Sequence, residues 1–546
     1  MDSILGYEPL GGELWNKLMS KCSPLSVEAL GKSLKSLEVG TPPTPSFKLY
    51  GKTDVSVATD FLDSLRKESF PTWMLEYERS RLEKFGPQGG HAPWKDVAAD
   101  FDLYRTRPAK VTYTSATVRK TMQKDYSYLK CSMLSLKDCF RYLDEEDKIQ
   151  DRAAGWNTFQ LKKTDAKAQQ EALLLARTGE WENGCGYVFG RYNKKKRRIF
   201  MPMPYSSMLK QAQYFVPFLT GIQNDLRAKM ERSSYTFWAD KIGFDPCFEI
   251  MGRLVKAKRS NKPDTILVYI QRDFEKMDTT TATSQYEEMF IPCLDAAYHQ
   301  AMPDLHKAMY FTTKAPIITP SGILTGDHGT ASGAEVTNGG ETCCNDYYDR
   351  RIQEILKEIC KIYFTLLTTQ GNGDDGTSVY EIYLKDFDEF VRCYTAAADK
   401  AARECGFRTQ AAKWRIDKEF GLYCQNMYWY EDGNMKWAYP ATLILNSIVN
   451  PEHQYKPKDW DKDYRDIDII EKLDNGRGLP YYKELVMYVC KGTKYPLLGS
   501  TEQETARILS KYDKYRSLQY QSERFNREEY NISKSPTVRL LLDMRK

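Results

Sequence analysis

Two adjacent carboxylates, Asp374 and Asp375, sit in the run Gly371-Asn372-Gly373-Asp374-Asp375-Gly376. Side by side they repel, and the neighbouring glycines bring neither bulk nor countercharge, so the pair is costly unless a cation joins it. Magnesium, a hard cation that takes oxygen ligands, is the natural candidate. The bland alternative is that Asp and Gly are simply good turn formers. A second acidic pair lies in Asp273-Phe274-Glu275-Lys276-Met277-Asp278, at the end of the apolar run Thr265 to Ile270. Asp pairs at this spacing recur at 240/245, 461/466 and 463/468, but only this one follows a run that reads as a strand buried on both faces. Capping of the following helical segment is the competing role, for Asp278 above all. A third group is Ser332-Gly333-Ala334-Glu335-Val336-Thr337, in a stretch rich in Gly, Thr and Ser.

The elements that must present these groups can be read around them. Ile362 to Thr368 and Thr377 to Leu384 are β-prone runs on either side of the glycine-rich centre, which predicts a tight hairpin with the acids at its tip. A helical pattern runs from the Ser-Gly stretch to about Ile359 and puts Asn338, Glu341 and Asn345 on one face. Gly339 and Gly340 cost about 1 kcal/mol each inside a helix, which points to close approach by another backbone or a ligand; a poorly formed helix start is the alternative. Phe387 to Ala401 mark an amphipathic helix that Gly406 would close. Gly421 to Tyr430 and Met435 to Tyr439 bracket a second hairpin turn. The basic run Arg191-Tyr192-Asn193-Lys194-Lys195-Lys196-Arg197-Arg198 has the composition of a solvated turn or a nuclear signal. It leads straight into Ile199-Phe200, however, a strand-like pair that would hold the arginines in place.

At 546 residues the chain exceeds a single core, and roughly three or four units are expected. Hydrophobic residues at 41% and charged residues at 28% describe a globular chain. Lys and Arg total 79 against 74 acidic residues, so any basic channel must come from clustering. The 13 cysteines form no C-x-x-C pair and only five histidines are present, which argues against zinc and favours a reducing compartment. The amino terminus lacks signal-peptide layout, and no apolar run reaches the ~20 residues of a membrane helix. The first hundred or so residues alternate short helical patterns with breakers and read as an extension that wraps or bridges.

Together, the strand-end carboxylate, the Ser-Gly-x-x-x-Thr loop and the double-Asp tip meet one chemical requirement. Joining nucleotides is an in-line displacement at phosphorus, in which two divalent cations roughly 3.5–4 Å apart stabilise the attacking and leaving oxygens. Carboxylates from separate strands must converge to hold them. In this order the residues resemble a viral RNA-dependent RNA polymerase. Asp273-x-x-x-x-Asp278 resembles motif A of that family, Ser332-Gly333-x-x-x-Thr337 motif B, and Gly373-Asp374-Asp375 motif C. The Lys194 to Arg198 run resembles motif F, Lys413 falls where motif D carries a lysine, and Gln425 to Tyr439 resembles the motif E hairpin. Motif B carries Glu341 where many positive-strand virus polymerases have Asn, with Asn338 directly after the threonine. That departure is similar to polymerases of small double-stranded RNA viruses, picobirnaviruses first and partitiviruses second.

The resemblance implies an α+β right-hand polymerase. Its divisions would be an amino-terminal extension bridging fingers and thumb (1–100), fingers (101–264), palm with motif A (265–280), a fingers insertion (281–320), palm with motifs B to E (321–435), and thumb with tail (436–546). It implies that Asp273 and Asp374 hold two Mg²⁺ ions, or Mn²⁺, with Asp375 assisting. Asp278 would read the ribose 2′-hydroxyl with Thr337 or Asn338, oriented by Glu341. Lys196, Arg197 and Arg198 would neutralise the incoming triphosphate, Lys413 would protonate the leaving pyrophosphate, and Ser332 with Gly333 would form a flexible loop. Expected partners are RNA template, nascent RNA, ribonucleoside triphosphates and a viral capsid protein, without a membrane. A monomer inside the virion or in the host cytoplasm is expected. A reverse transcriptase shares the paired-Asp hairpin, but usually has aromatic-x-Asp-Asp at the tip and lacks the Ser-Gly loop. A non-catalytic, capsid-associated RNA-binding protein would use the basic runs and aromatics alone.

Overall fold

The strand Thr265–Arg272, TILVYIQR, lies in the middle of the sheet that organises the molecule. The computed structural model describes residues 4–66, 69–145, 153–194, 196–260, 262–409, 414–452, 461–512 and 532–545. In chain order, the elements used below are helix α1 (Trp94–Arg105), strands β1 (Phe189–Asn193) and β2 (Lys196–Phe200), strand β3 (Thr265–Arg272), and helix α2 (Thr337–Ile359). Strands β4 (Phe364–Asn372) and β5 (Asp375–Tyr383), helix α3 (Phe387–Cys405), strands β6 (Arg415–Asp417), β7 (Gly421–Tyr423), β8 (Asn426–Glu431) and β9 (Asn434–Ala438), and helix α4 (Ala441–Val449) follow.

The central sheet is antiparallel in the order β6-β3-β5-β4. Val268, Tyr269 and Ile270 of β3 are buried, as a β-branched and aromatic run covered on both faces should be. Helix α2 crosses the sheet and is buried around most of its circumference, polar residues included. Those polar residues are paired: Arg350 with Asp346 and Asp125, both at 2.7 Å, and Arg351 with Glu404 at 2.7 Å. Gly339 and Gly340 are explained by packing against rings. A Cβ on Gly339 would strike Phe215, and one on Gly340 would come 2.6 Å from the Tyr286 hydroxyl, so neither a backbone nor a ligand is what approaches. Helix α3 ends as expected at Gly406, at φ +74°.

The run from Gly421 differs from the single hairpin expected. Cys424 and Gln425, both at positive φ, break it into β7 and β8, so β7-β8-β9 form a three-stranded sheet. Two expected division points fall within paired elements, one in a hairpin turn and one inside a strand. The one at 320/321 splits the hairpin of Ile317–Thr319 and Gly322–Leu324, whose outer edges pair with Gly186–Tyr187 and Tyr7–Glu8. The one at 435/436 cuts β9. Pro320 and Ser321 form the turn of the first of these.

The first hundred residues pack on two cores. Trp94, Val97, Phe101 and Tyr104 join the central core, whereas Val57, Phe61, Met74 and Phe85 join the core of the carboxy-terminal helices. Glu78 fastens the second contact. It is buried and accepts from the backbone of Ala441 at 2.6 Å and Thr442 at 2.9 Å, capping α4, whose own first residue follows a proline without a capping side chain. All thirteen cysteines are free, and among the described residues no helix is long and apolar enough to cross a membrane.

Candidate active site

Register brings the acids together. Arg272 of β3 pairs with Gly376 of β5, so Asp273, the next residue along, stands beside Asp375. Asn372 pairs with Asp375, leaving Gly373 and Asp374 as a two-residue turn. Gly373 takes φ +58°, a conformation that costs a side-chain-bearing residue and suits glycine at the first loop position. Helix α2 clamps this tip: Asn345 Nδ2 donates to the carbonyls of Gly373 at 2.9 Å and Asp375 at 3.1 Å, and Thr342 Oγ1 accepts from Gly373 N at 2.8 Å. The Asp273 carbonyl is held by Trp414 Nε1 at 3.1 Å.

The electrostatics are those of crowded anions. Burial, then Asp374, then Asp273 push the Asp375 carboxyl up to about 8. Asp374 is solvent-exposed at the tip, yet the surrounding protein raises its carboxyl as well, with Arg198 pulling the other way. Among the described residues no three acid, imidazole or thiol side chains form a ready-made metal cage. Such an arrangement suits magnesium, which keeps several waters and is held by one or two carboxylates together with substrate phosphates. The donor set, all carboxylate oxygens, fits that ion.

Opposite the acids is a crowd of cations. The β1–β2 hairpin turns at Lys194, and pleating puts Lys196 and Arg198 on one face and Arg197 on the other, where it meets Asp96 at 3.3 Å. Lys194 Nζ donates to Gln425 Oε1 at 3.0 Å, joining the hairpin tip to the β7–β8 turn. Two further cations come from the 81–84 turn of the amino-terminal segment. Burial first, then Arg81 and Lys196, push Lys84 down to about 8; burial, then Lys84 and Arg198, do the same to Lys194. Arg81 and Lys84 have no local motif that marks them. Lys413 lies outside the described residues.

A third wall surrounds Asp278. The Tyr104 hydroxyl donates to Asp278 Oδ2, and Lys276 pairs with Asp100 at 2.6 Å. The face expected of α2 is present: a Cβ on Gly373 would lie 2.9 Å from Asn338 Nδ2 and 3.6 Å from Glu341 Oε2, and Asn345 bonds the same turn. Asn338 Oδ1 accepts from Lys241 Nζ at 3.2 Å. Burial, then Asp278 and Asp374, raise the Glu341 carboxyl well above its usual range, and its buried Oε1 has no hydrogen-bond partner. The Thr337 hydroxyl donates to the Ala331 carbonyl at 2.6 Å. Ser332 Oγ donates to the Ile199 carbonyl at 3.4 Å, and Gly333 packs so closely on Met201 that a Cβ would collide with its backbone. The Ser-Gly loop is therefore strapped to the end of the basic hairpin.

Three carboxylates, a basic hairpin and a polar helix face thus surround one hairpin tip. Comparison with solved structures places the fold. Over 99% of its length the chain is similar to all of the RNA-dependent RNA polymerase of a human picobirnavirus, with a TM-score of 0.72 and 16% identity. The insertion-loop deletion mutant of that polymerase gives a TM-score of 0.71 at the same identity. No family model and no curated protein sequence matches the chain.

Proposed function

We propose that the protein synthesises RNA on an RNA template from ribonucleoside triphosphates, copying and transcribing a viral genome. The observation that carries this reading is the register that sets Asp273 beside the Asp374-Asp375 tip, across from Lys84, Lys194, Lys196 and Arg198. Like charges gathered at an electrostatic cost on two facing walls have complementary partners in a divalent cation and a polyphosphate.

In this reading the β6-β3-β5-β4 sheet with α2 and α3 is the palm. The regions 101–264 and 281–320 are fingers, the helices after 436 the thumb, and the amino-terminal hundred residues the bridge. Asp273 and Asp374, assisted by Asp375, would hold two Mg²⁺ or Mn²⁺ ions, which when bound activate the attacking hydroxyl and offset charge on the leaving phosphate. Arg198 and Lys196, on one face of the hairpin, orient the triphosphate by charge-assisted contacts. Arg197 supports the hairpin through Asp96. Asp278 accepts from the ribose 2′-hydroxyl, with Asn338 and Glu341 lining the same corner. Ser332 and Gly333 couple the basic hairpin to α2 as the template advances. Lys413 is assigned proton donation to pyrophosphate through the motif it resembles. The enzyme works as a monomer inside the particle or in the host cytoplasm, beside a capsid protein.

The test is synthesis by the purified chain given an RNA template, Mg²⁺ and either ribo- or deoxyribonucleoside triphosphates. Template-complementary RNA, absent with Asp374→Asn, is expected. Equal use of deoxyribonucleotides would favour a reverse transcriptase. Salt-sensitive RNA binding without synthesis would leave only a binding protein.

A further inference from the structure

Asp278 is gripped from behind by a helix far from it in sequence. Tyr104 of α1 is buried, 2% exposed, and its hydroxyl donates to Asp278 Oδ2. Asp100, one turn earlier on the same helix, pairs with Lys276 at 2.6 Å, so the turn 276–278 is held at two points. Lys276 takes φ +50°, a left-handed conformation that a lysine keeps only when its surroundings impose it. Gly329 also packs against this turn, close enough that a Cβ on it would collide with the Asp278 carbonyl. Burial, then the Asp278 charge, push the Tyr104 phenol well above its ordinary range, so it remains a donor at every working pH.

We propose that Tyr104 is a positioning residue for sugar selection: it fixes the Asp278 carboxylate so that the incoming nucleotide's 2′-hydroxyl is required to complete its hydrogen bonding. The inference rests on the polymerase reading and deepens it, because it makes the amino-terminal segment part of the discrimination between ribose and deoxyribose. The physical reason is general. A site built to bond a hydroxyl rejects the analogue that lacks it only if its own polar groups cannot find another partner. A carboxylate able to rotate would turn to water or a neighbouring donor and accept a deoxy substrate with little loss. One locked by a buried phenol cannot.

The test substitution is Tyr104→Phe, which removes one oxygen and keeps the ring that stacks on Phe101 at 5.7 Å between centroids. Single-nucleotide incorporation of UTP and dUTP opposite template adenine is measured with the full chain. The ribo/deoxy ratio of kcat/KM is expected to fall about tenfold or more, chiefly through a higher KM for UTP. Discrimination against 3′-deoxy-UTP and the thermal midpoint should stay as in the parent. In an Asp278→Ala background the same substitution should change the ratio no further. An unchanged ratio in Tyr104→Phe, or an equal further fall in the Asp278→Ala background, overturns the proposal while leaving the polymerase reading intact. A parent protein that makes no RNA overturns that reading, and this inference with it.

Discussion

Carboxylates on the two sides of the Arg272–Asp273 step are handled in different ways. Beneath the sheet, Asp349 of α2 and Arg272 of β3 form an ion pair at 2.6 Å, with the two side chains 0% and 1% exposed. Arg272 also donates to Ser378, and a Cβ on Gly376 would come 2.8 Å from its Nη2, so β5 leaves the space it occupies. At the tip, one residue past Arg272, Asp273 stands beside Asp374 and Asp375, with Arg198 acting on Asp374 and Lys84 on Asp375. Where a carboxylate serves the fold, the chain supplies a guanidinium against it. At the tip the proposed partners are divalent cations, and burial, then Asp374 and Asp273, raise the Asp375 carboxyl.

The contrast can be broken in graded steps. Asp374→Asn keeps size and removes charge; loss of about 4 kcal/mol of transition-state stabilisation lowers nucleotide incorporation about a thousandfold, with the thermal midpoint unchanged or higher. Asp349→Asn should do the reverse. Stranding Arg272 in the core destabilises the fold by about 3–5 kcal/mol, read as a lower midpoint on denaturant unfolding, with any activity loss tracking the unfolded fraction. Arg198→Ala removes a charge-assisted contact worth about 1.5–3 kcal/mol and should raise KM for nucleotide triphosphates roughly 10–100-fold.

A fourth variant separates the two sets by pH. The Asp375 carboxyl is pushed up to about 8 in the folded protein from an ordinary 3.8, so the folded state binds the extra proton. Its contribution is complete below about 3.8 and is lost as pH rises through about 8. Metal-free parent protein should therefore lose thermal stability across that window relative to Asp375→Asn, and Mg²⁺ should narrow the difference at the alkaline end. The smallest effect is expected from Arg197→Ala. Its half-exposed pair with Asp96 is on the other face of the hairpin, and such pairs contribute about 0–1 kcal/mol, so steady-state incorporation should change only a few-fold.

Much of this site can be read from local pattern. The acid hairpin, the buried strand that delivers Asp273, and the α2 face of Asn338, Glu341 and Asn345 each follow from a periodicity and a turn within one short stretch. Arg272, at the end of the same strand, was not marked, because its partner Asp349 is 77 positions away on another element. Tyr104, Arg81 and Lys84 carry no such signal, because their meaning lies in contacts made across the whole fold. The β7–β8 turn was hidden for a different reason. Cys424 and Gln425 adopt positive φ without a glycine to announce it. Gly339 and Gly340 show the limit of inferring a neighbour from a small residue: aromatic rings fill the space that a ligand was expected to need.

The central claim of the proposed reading is that Asp273 and Asp374 together hold a divalent cation. Mn²⁺ binding to the full chain, followed by water-proton relaxation with and without a non-hydrolysable nucleoside triphosphate, tests it directly. Saturable binding that tightens with the nucleotide and disappears in the Asp273→Asn, Asp374→Asn double variant is the expected result. Binding that is unchanged in that variant would contradict the account.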